Sequence, residues 1–330
     1  TAKLAIQQDV EAAGLGRDAL MEGELLAAFP HAMVEHHRAP LLAHQLRNEI
    51  VATKVANRLI NRMGLVHPFE LAEEEGVGMG EVAAAFVVAE QLFGLAGLWA
   101  AIDDADVAEQ VRLTLYEEVA VELRAHMADL IRNAVTGRSL QHCVEDLRGG
   151  IALLDGKSDQ LLRAQGREQI NAFAQRLEGL GTPPDLARAI VHLAEVDGAV
   201  GIVSLAQRKG QEPLALTRAF TALGQASGVD WAQGAAMQLS PTDPWERLLV
   251  AGLARDFQQM RLETLARLSG VEAGGAAGDP EAAAAAWLLR NDARVQQFRA
   301  FVDRARNSPA PSPAMLAQLA GQARGLFGRD

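Results

Sequence analysis

The sequence predicts an all-α, multi-helix protein with no β-sheet, and three observations support this prediction. Hydrophobic residues make up 49% of the 330 residues but aromatic residues only 5%, so the side chains that strands favour are scarce. No segment alternates apolar and polar residues between turn residues at hairpin spacing. No proline falls between Pro68 and Pro183, which leaves room for long helices in that part of the chain.

Proline, glycine and apolar spacing set the helix boundaries in the first half of the chain. Pro30 ends a short helix over 17–29, and Pro40 in the first turn and Gly64 at the C-terminal cap bound a long helix over 40–63. Apolar residues surround most of that long helix, which indicates a central position. Further helices are predicted over 67–75, 81–92, 95–102, 107–133 and 140–178, with Asp106 as a cap and glycine breaks at 149–150 and 156.

The second half is divided into shorter helices. Asp185 and Asp243 stand where helices should begin, and both are predicted to be N-caps. Loops are predicted near 179–184, 270–280 and 307–313, where glycine, proline and serine concentrate. The helices predicted between these loops cover 185–208, 213–225, 229–238, 243–269, 280–306 and 312–326.

The negative charge of the chain is unevenly distributed. The net charge is −11, and residues 1–137 carry 21 acidic and 10 basic side chains, whereas residues 138–330 carry 21 of each. We therefore predict an acidic helical subdomain over 1–137 and a second helical subdomain over 138–330, with a boundary near 180 as the alternative. An acidic surface disfavours nucleic acid and anionic membranes as partners.

One apolar run, from Val82 to Ile102, is long enough to be compared with a membrane span. Glu90 stands near its middle, and a charged side chain at that depth is costly in lipid. The run is therefore predicted to form buried helices of a protein without a membrane partner.

Residues that could carry chemistry are few. Cys143 is the only cysteine, which excludes a disulfide framework and a multi-cysteine metal site and fits a cytoplasmic protein. The glycines of 76–80 follow an acidic helical run rather than a strand, so they do not predict a dinucleotide site. His192 and Glu195 share one helix face, but a di-metal bundle needs a second such pair. We therefore predict no catalytic, cofactor-binding or metal site in this segment.

The most distinctive stretch of the sequence covers residues 47–64. Asn57 and Asn61 are neighbours one helical turn apart, and amides beside a packed face must find hydrogen-bond partners. One interpretation is a helix–helix hydrogen-bond network that fixes register. The other is a contact surface for another domain, flanked by Arg58 and Arg62.

Several blocks of this sequence resemble the C-terminal helical region of the large bacterial NAD-specific glutamate dehydrogenases. The blocks are RNEIVATKVANRLINRMG at 47–64, Phe93-Gly-Leu95, Leu98-Trp99, Ile102-Asp103, Asp230-Trp231 and Trp245-Glu-Arg247. The resemblance implies that an all-α region follows a catalytic core whose reaction is the NAD-dependent oxidative deamination of L-glutamate to 2-oxoglutarate and ammonia. It also implies that NAD and the catalytic residues lie in the part of the parent chain before Thr1.

Three functions are the alternatives that the sequence leaves open. The first is a non-catalytic structural or regulatory domain that packs against the catalytic core of the same parent chain within a homo-oligomer. Because no Met precedes Thr1, we expect a domain taken from a longer chain. The second is a stand-alone helical scaffold or protein-interaction module, with the acidic front half as its binding surface. A third alternative, a helical metalloenzyme, lacks a ligand set in the sequence.

Overall fold

The computed structural model describes residues 2–154, 157, 164–194, 198–239, 241–270, 278–308 and 310–328. Every regular element within these ranges is helical and none is a strand, which confirms the all-α prediction. The chain divides into two compact units. The first contains Thr1–Gly156 and Ala164–Gly201, and the second contains Lys157–Arg163 and Ile202–Asp330.

The two units do not follow the predicted subdomains. The expected boundaries at 137 and near 180 both lie inside the first unit, which continues to Gly201. The excess of acidic residues ends at 137, but charge is a property of the surface. Packing continues past that point, because Leu140, Val144 and Leu147 of the following helix are buried.

The first unit is an assembly of helices around a buried apolar centre. Its helices are α1 (Ala2–Ala12), α2 (Glu22–Leu26), α3 (His31–Leu42), α4 (Arg47–Met63), α5 (His67–Glu75), α6 (Met79–Leu92), α7 (Leu95–Asp104), α8 (Glu109–Leu130), α9 (Leu140–Leu154), α10 (Ala164–Gly179) and α11 (Pro184–Ala194). Short 3₁₀ turns at Leu15–Arg17 and Ala19–Met21 connect α1 to α2, and a π-helical turn at Ile131–Val135 extends α8.

Helix α6 is the most deeply placed helix of the first unit. All its residues from Met79 to Ala89 are buried except Glu81, and it packs against α1, α4, α8 and α9. Alanine and glycine at many of these positions keep its circumference narrow, which lets neighbouring helices approach on several sides. Helix α4 is instead amphipathic, with Val51, Val55 and Leu59 on its buried face.

The predicted helix over 40–63 begins later than expected. Helix α4 starts at Arg47, and Pro40 lies inside α3. Helix α3 is kinked at His37, whose backbone has φ −132° and ψ 29°. A proline lacks the N–H that would bond to the carbonyl four residues earlier, so it permits a kink just before it. Pro40 therefore belongs to a short helical turn after the kink.

Other boundaries follow the local signals to different degrees. Helix α5 occupies the predicted 67–75 and ends at Gly76, which is left-handed with φ 66°. Asp243 is the predicted N-cap and accepts hydrogen bonds from the amides of the second and third residues after it. Asp185 is not a cap but lies in the first turn of α11, and the helix after Asp106 is preceded by Ala108 instead. The glycine break predicted at 156 lies outside the described residues.

The second unit has its own core. Its helices are α12 (Ala199–Lys209), whose first three residues belong to the first unit, α13 (Pro213–Ser227), α14 (Val229–Gln238), α15 (Pro244–Leu268), α16 (Pro280–Arg290), α17 (Asp292–Arg306) and α18 (Pro313–Phe327). The expected helix over 280–306 is divided at Asn291. Phe220, Phe257 and Phe298 are buried in this core, and the rings of Trp287 and Phe327 stack with centroids 5.4 Å apart.

No single helix in the described part of the chain is both long and apolar enough to cross a membrane. The apolar run from 82 to 102 is shared between α6 and α7, which are bent by 76° relative to each other.

Candidate functional site

Arg47 and Asn48, the first two residues of α4, form hydrogen bonds with the backbone of the turns that precede α2. The Arg47 guanidinium donates hydrogen bonds to the carbonyl oxygens of Gly16 at 2.5 Å, Leu42 at 3.1 Å and Asp18 at 3.2 Å. Asn48 Oδ1 accepts a hydrogen bond from the Gly16 amide at 3.0 Å. These polar residues are therefore structural, because they satisfy backbone groups of the turns at Gly16 and Asp18 and of the last residue of α3.

Arg58 joins three helices by ion pairs. Its Nε lies 2.7 Å from Oε2 of Glu90 on α6, and its Nη1 pairs with Glu24 on α2, which also lies 3.5 Å from the Lys54 ammonium. The Glu90 side chain is only 9% exposed. Burial raises the pKa of the Glu90 carboxyl above its ordinary value although Arg58 pulls it down. Arg58 thus stabilises the interior of the first unit.

Arg62, one turn later, lies against an aromatic pair. Its guanidinium carbon is 4.9 Å from the Trp99 ring centroid and 5.7 Å from that of Tyr116, and its Nη2 is 3.7 Å from Asp103 Oδ2. The Tyr116 hydroxyl donates a hydrogen bond to the same carboxylate. Cation–π contacts of this kind hold α4 against α7 and α8. Three of the sequence blocks that carry the resemblance are therefore in contact, because Arg62 of the 47–64 block touches both Trp99 and Asp103.

The two predicted asparagines differ in exposure. Asn57 is half-buried, and no described residue donates a hydrogen bond to its Oδ1, whereas Asn61 is exposed. Of the four residues predicted to form a contact face, Arg58 and Arg62 therefore interact within the first unit, and Asn61 is the most open to another molecule.

An exposed apolar surface follows Asn61 at the junction of α4 and α5. The side chains of Leu65, Val66 and Phe69 are 55%, 60% and 38% exposed. We call Asn61, Leu65, Val66 and Phe69 the α4–α5 surface. Clustered exposed apolar residues are typical of interaction surfaces. The sequence offered a signal for them, since three large apolar residues follow Gly64 within six positions.

Residues that could have carried chemistry have structural surroundings. Cys143 is fully buried, its Sγ donates to the Ala134 carbonyl at 3.3 Å, and burial raises the pKa of its thiol. Glu195, the predicted neighbour of His192, lies outside the described residues. Among the residues that the structure describes, no group of three or more histidine, cysteine or acidic side chains could hold a metal ion.

One buried carboxylate was not anticipated. Asp129 on α8 accepts hydrogen bonds from the amides of Val200 at 3.0 Å and Gly201 at 3.1 Å, and from Asn133 Nδ2 at 2.7 Å. It therefore caps the N-terminus of α12 from a distant part of the sequence, where a negative charge is favourable. A local pattern could not reveal it, because the two segments are about 70 positions apart.

Three known proteins that are similar to this chain are NAD-specific glutamate dehydrogenases. The family model described as "Glutamate dehydrogenase, C-terminal" matches residues 2–324. NAD-specific glutamate dehydrogenases of Halomonas elongata and Pseudomonas aeruginosa are each 26% identical, over 92% and 91% of this chain. The enzyme of Mycobacterium tuberculosis is 24% identical over 98% of it.

The matched part is a minor fraction of each relative. It corresponds to 19%, 18% and 20% of the Halomonas, Pseudomonas and Mycobacterium proteins, so the chain spans about one fifth of the length of these curated relatives. Because the family model covers nearly all of the 330 residues, the chain belongs to the glutamate dehydrogenase C-terminal family.

Proposed function

We propose that this chain is the non-catalytic, structural or regulatory helical domain of a large NAD-dependent glutamate dehydrogenase. The observation that carries the proposal is the match of residues 2–324 to a C-terminal family model, combined with relatives about five times as long. A segment of that size, built from helices around two apolar cores, is suited to support or control a catalytic core elsewhere in the same chain.

In this proposal the parent enzyme catalyses the oxidative deamination of L-glutamate to 2-oxoglutarate and ammonia with NAD as hydride acceptor. NAD and the catalytic residues belong to the remainder of the parent chain, which works in the cytoplasm as a homo-oligomer. The polar and titratable residues of α4 support this division of labour, because Arg47, Arg58 and Arg62 are engaged in structural contacts.

We further propose that the α4–α5 surface contacts the catalytic core of the parent chain. Asn61 is the exposed residue of the predicted contact face. Leu65, Val66 and Phe69, which follow it in the sequence, add exposed apolar area. An exposed apolar group loses its contact with water when a partner covers it, which gives such a surface a driving force for docking.

The contact is tested in the full-length dehydrogenase with Val66→Asp. A carboxylate at the centre of an apolar contact has to be desolvated, so we expect weaker assembly or a kcat lowered by about fivefold or more. Sedimentation velocity and steady-state kinetics with glutamate and NAD measure both effects.

Val121→Asp is the matched control, because Val121 on α8 is also an exposed valine, 52% accessible, outside the α4–α5 surface. It should leave assembly and kinetics at wild-type values. Wild-type behaviour of Val66→Asp, or equal losses in both variants, would contradict the proposed contact.

A further inference from the structure

The first unit contains a cleft that none of the contacts described above uses. It has a volume of about 810 Å³ and lies between α7, the end of α8, the end of α9 and α11. Leu98, Ile151, Leu154, Leu186 and Leu193 form its apolar walls. Small-molecule sites are typically apolar clefts of roughly 300–1,000 Å³ with a few polar groups, so both size and lining fit that class.

One wall of the cleft is held in place by a buried histidine. The His126 ring stacks on Phe93 with centroids 4.0 Å apart, and its Nε2 lies 2.7 Å from the Leu193 carbonyl oxygen. His126 is 7% exposed. The stacked pair presents a flat, fixed surface, which reduces the entropy that a ligand contact would otherwise cost.

Charge at the rim is of one sign. Asp104 at the end of α7 and Asp185 in the first turn of α11 line the cleft and are exposed, and neither forms an ion pair with another described residue. The other titratable side chains of the lining are His126 and His192, and its described residues include no lysine or arginine. The rim therefore attracts a cation, while the walls favour an aliphatic group.

We propose that this cleft binds an amphipathic small molecule, an aliphatic chain that ends in a protonated primary amine. The chain would lie against the leucine-rich walls and the flat Phe93 ring. The ammonium group would lie at the rim near Asp104 and Asp185, where it remains partly hydrated. Nothing in the proposed dehydrogenase function requires this ligand, so the two proposals stand or fall separately.

The binding test compares three probes of equal chain length on the purified 330-residue chain: hexylamine, hexanol and hexanoate. Isothermal titration at neutral pH measures each affinity. We expect saturable one-site binding of hexylamine, about five- to tenfold tighter than hexanol because two exposed carboxylates each add a modest attraction. Hexanoate should bind most weakly. Equal affinities, or no binding of hexylamine, would overturn the proposal.

Gly97→Leu tests the location. A Cβ at Gly97 meets no atom within 4 Å, and this glycine lines the cleft, so a leucine side chain there begins in open space and adds bulk to the lining. We expect hexylamine affinity to fall by about tenfold or more, in line with loss of the apolar contact. Gly149→Leu is the matched control, since Gly149 is equally uncrowded but does not line the cleft. Equal effects of the two substitutions would place the binding elsewhere.

The charge is tested by combining Asp104→Asn with Asp185→Asn, which keeps the shape of both side chains. Hexylamine affinity should fall to that of hexanol, and hexanol affinity should not change. An undiminished preference for the amine would contradict the role of the rim. Far-UV circular dichroism confirms that each variant is folded, and the double variant still decides the question if Gly97→Leu is not.

Discussion

At the scale of single residues, Asp18 joins two segments that lie far apart in the sequence. Its carboxylate accepts hydrogen bonds from the amides of Leu20 at 3.0 Å, Leu140 at 2.8 Å and Gln141 at 3.1 Å. Burial raises the pKa of this carboxyl, but these hydrogen bonds and one from Ser139 lower it by more. The pKa therefore lies below its ordinary value of 3.8. One side chain thus caps both a 3₁₀ turn and α9.

We expect Asp18→Ala to lower the free energy of unfolding by about 1–2 kcal/mol at neutral pH, the usual cost of a lost cap. Because the folded pKa is depressed, the contribution of the carboxylate is complete above pH 3.8 and is lost as the pH falls through the folded pKa. Urea denaturation across this range should show the difference between wild type and variant shrinking in acid.

Asp9→Ala serves as the control for that series, because Asp9 is an exposed acid on α1. Its effect should stay within about 0.5 kcal/mol. A difference between wild type and Asp18→Ala that grew as the pH fell would contradict the assigned role.

At Gly80, helix α6 lies close to the residue that follows α1. A Cβ built on Gly80 would lie 2.6 Å from the Cβ of Ala13, so Gly80→Ala must displace backbone. We expect a loss of about 1–3 kcal/mol in the free energy of unfolding. A Cβ built on Gly149 meets no atom within 4 Å, so Gly149→Ala should raise the free energy of unfolding by about 0.5–1 kcal/mol through its higher helix propensity. Chemical denaturation of both variants checks this pair, and a stabilising Gly80→Ala would contradict it.

At the scale of elements, the ion pairs of Arg58 hold α2, α4 and α6 together. Helix α6 is almost entirely apolar, and Glu90 near its end is the carboxylate that α4 neutralises. Removing the partner of a buried charge lowers the free energy of unfolding much more than removing the partner of an exposed charge. The stability of this helix group therefore depends on the pairing more than on the number of surface charges.

Arg58→Ala should lower the free energy of unfolding by about 3 kcal/mol, because Glu90 remains buried without its cation. Arg38→Ala is the matched control, since Arg38 lies 3.8 Å from Glu22 and the two side chains are 60% and 39% exposed. It should cost about 0.5 kcal/mol or less. Adding Glu90→Gln to Arg58→Ala should recover part of the lost stability. Thermal denaturation of the two single variants and the double variant measures these differences, and a double variant less stable than Arg58→Ala would contradict the explanation.

Local signals in the sequence predicted some elements well and could not predict others. The bounds of α5 and the cap Asp243 depend on residues within one turn, so the pattern was sufficient. Pro40 is compatible with the start of a helix or with a turn after a kink, and only packing decides between them. Arg58 pairs with acids 34 and 32 positions away, a relation that i,i+4 spacing does not contain.

At the scale of the whole molecule, charge and packing divide the chain differently. The acidic excess ends at residue 137, whereas the first compact unit continues to Gly201. Composition reports on the surface and could not locate a boundary set by the buried residues of α9 and α11. The same limit applies to the contact face. The sequence identified α4, but only the structure distinguished internal Arg58 from exposed Asn61.

The proposed division of labour makes a prediction for the isolated chain. The purified 330-residue protein should produce no NADH from glutamate and NAD, because the proposed catalytic core belongs to the rest of the parent enzyme. Absorbance of NADH measures this, with the full-length dehydrogenase as the positive control. Glutamate-dependent NADH formation above the buffer rate would contradict a non-catalytic role.

The single thiol has a use beyond its packing. Cys143 is the one cysteine of the sequence and is fully shielded in the first unit, so a thiol reagent can reach it only when that unit opens. The ratio of the labelling rate to that of an unfolded chain measures the opening equilibrium of the first unit. Each substitution proposed for the first unit can therefore be ranked under native conditions, without denaturant.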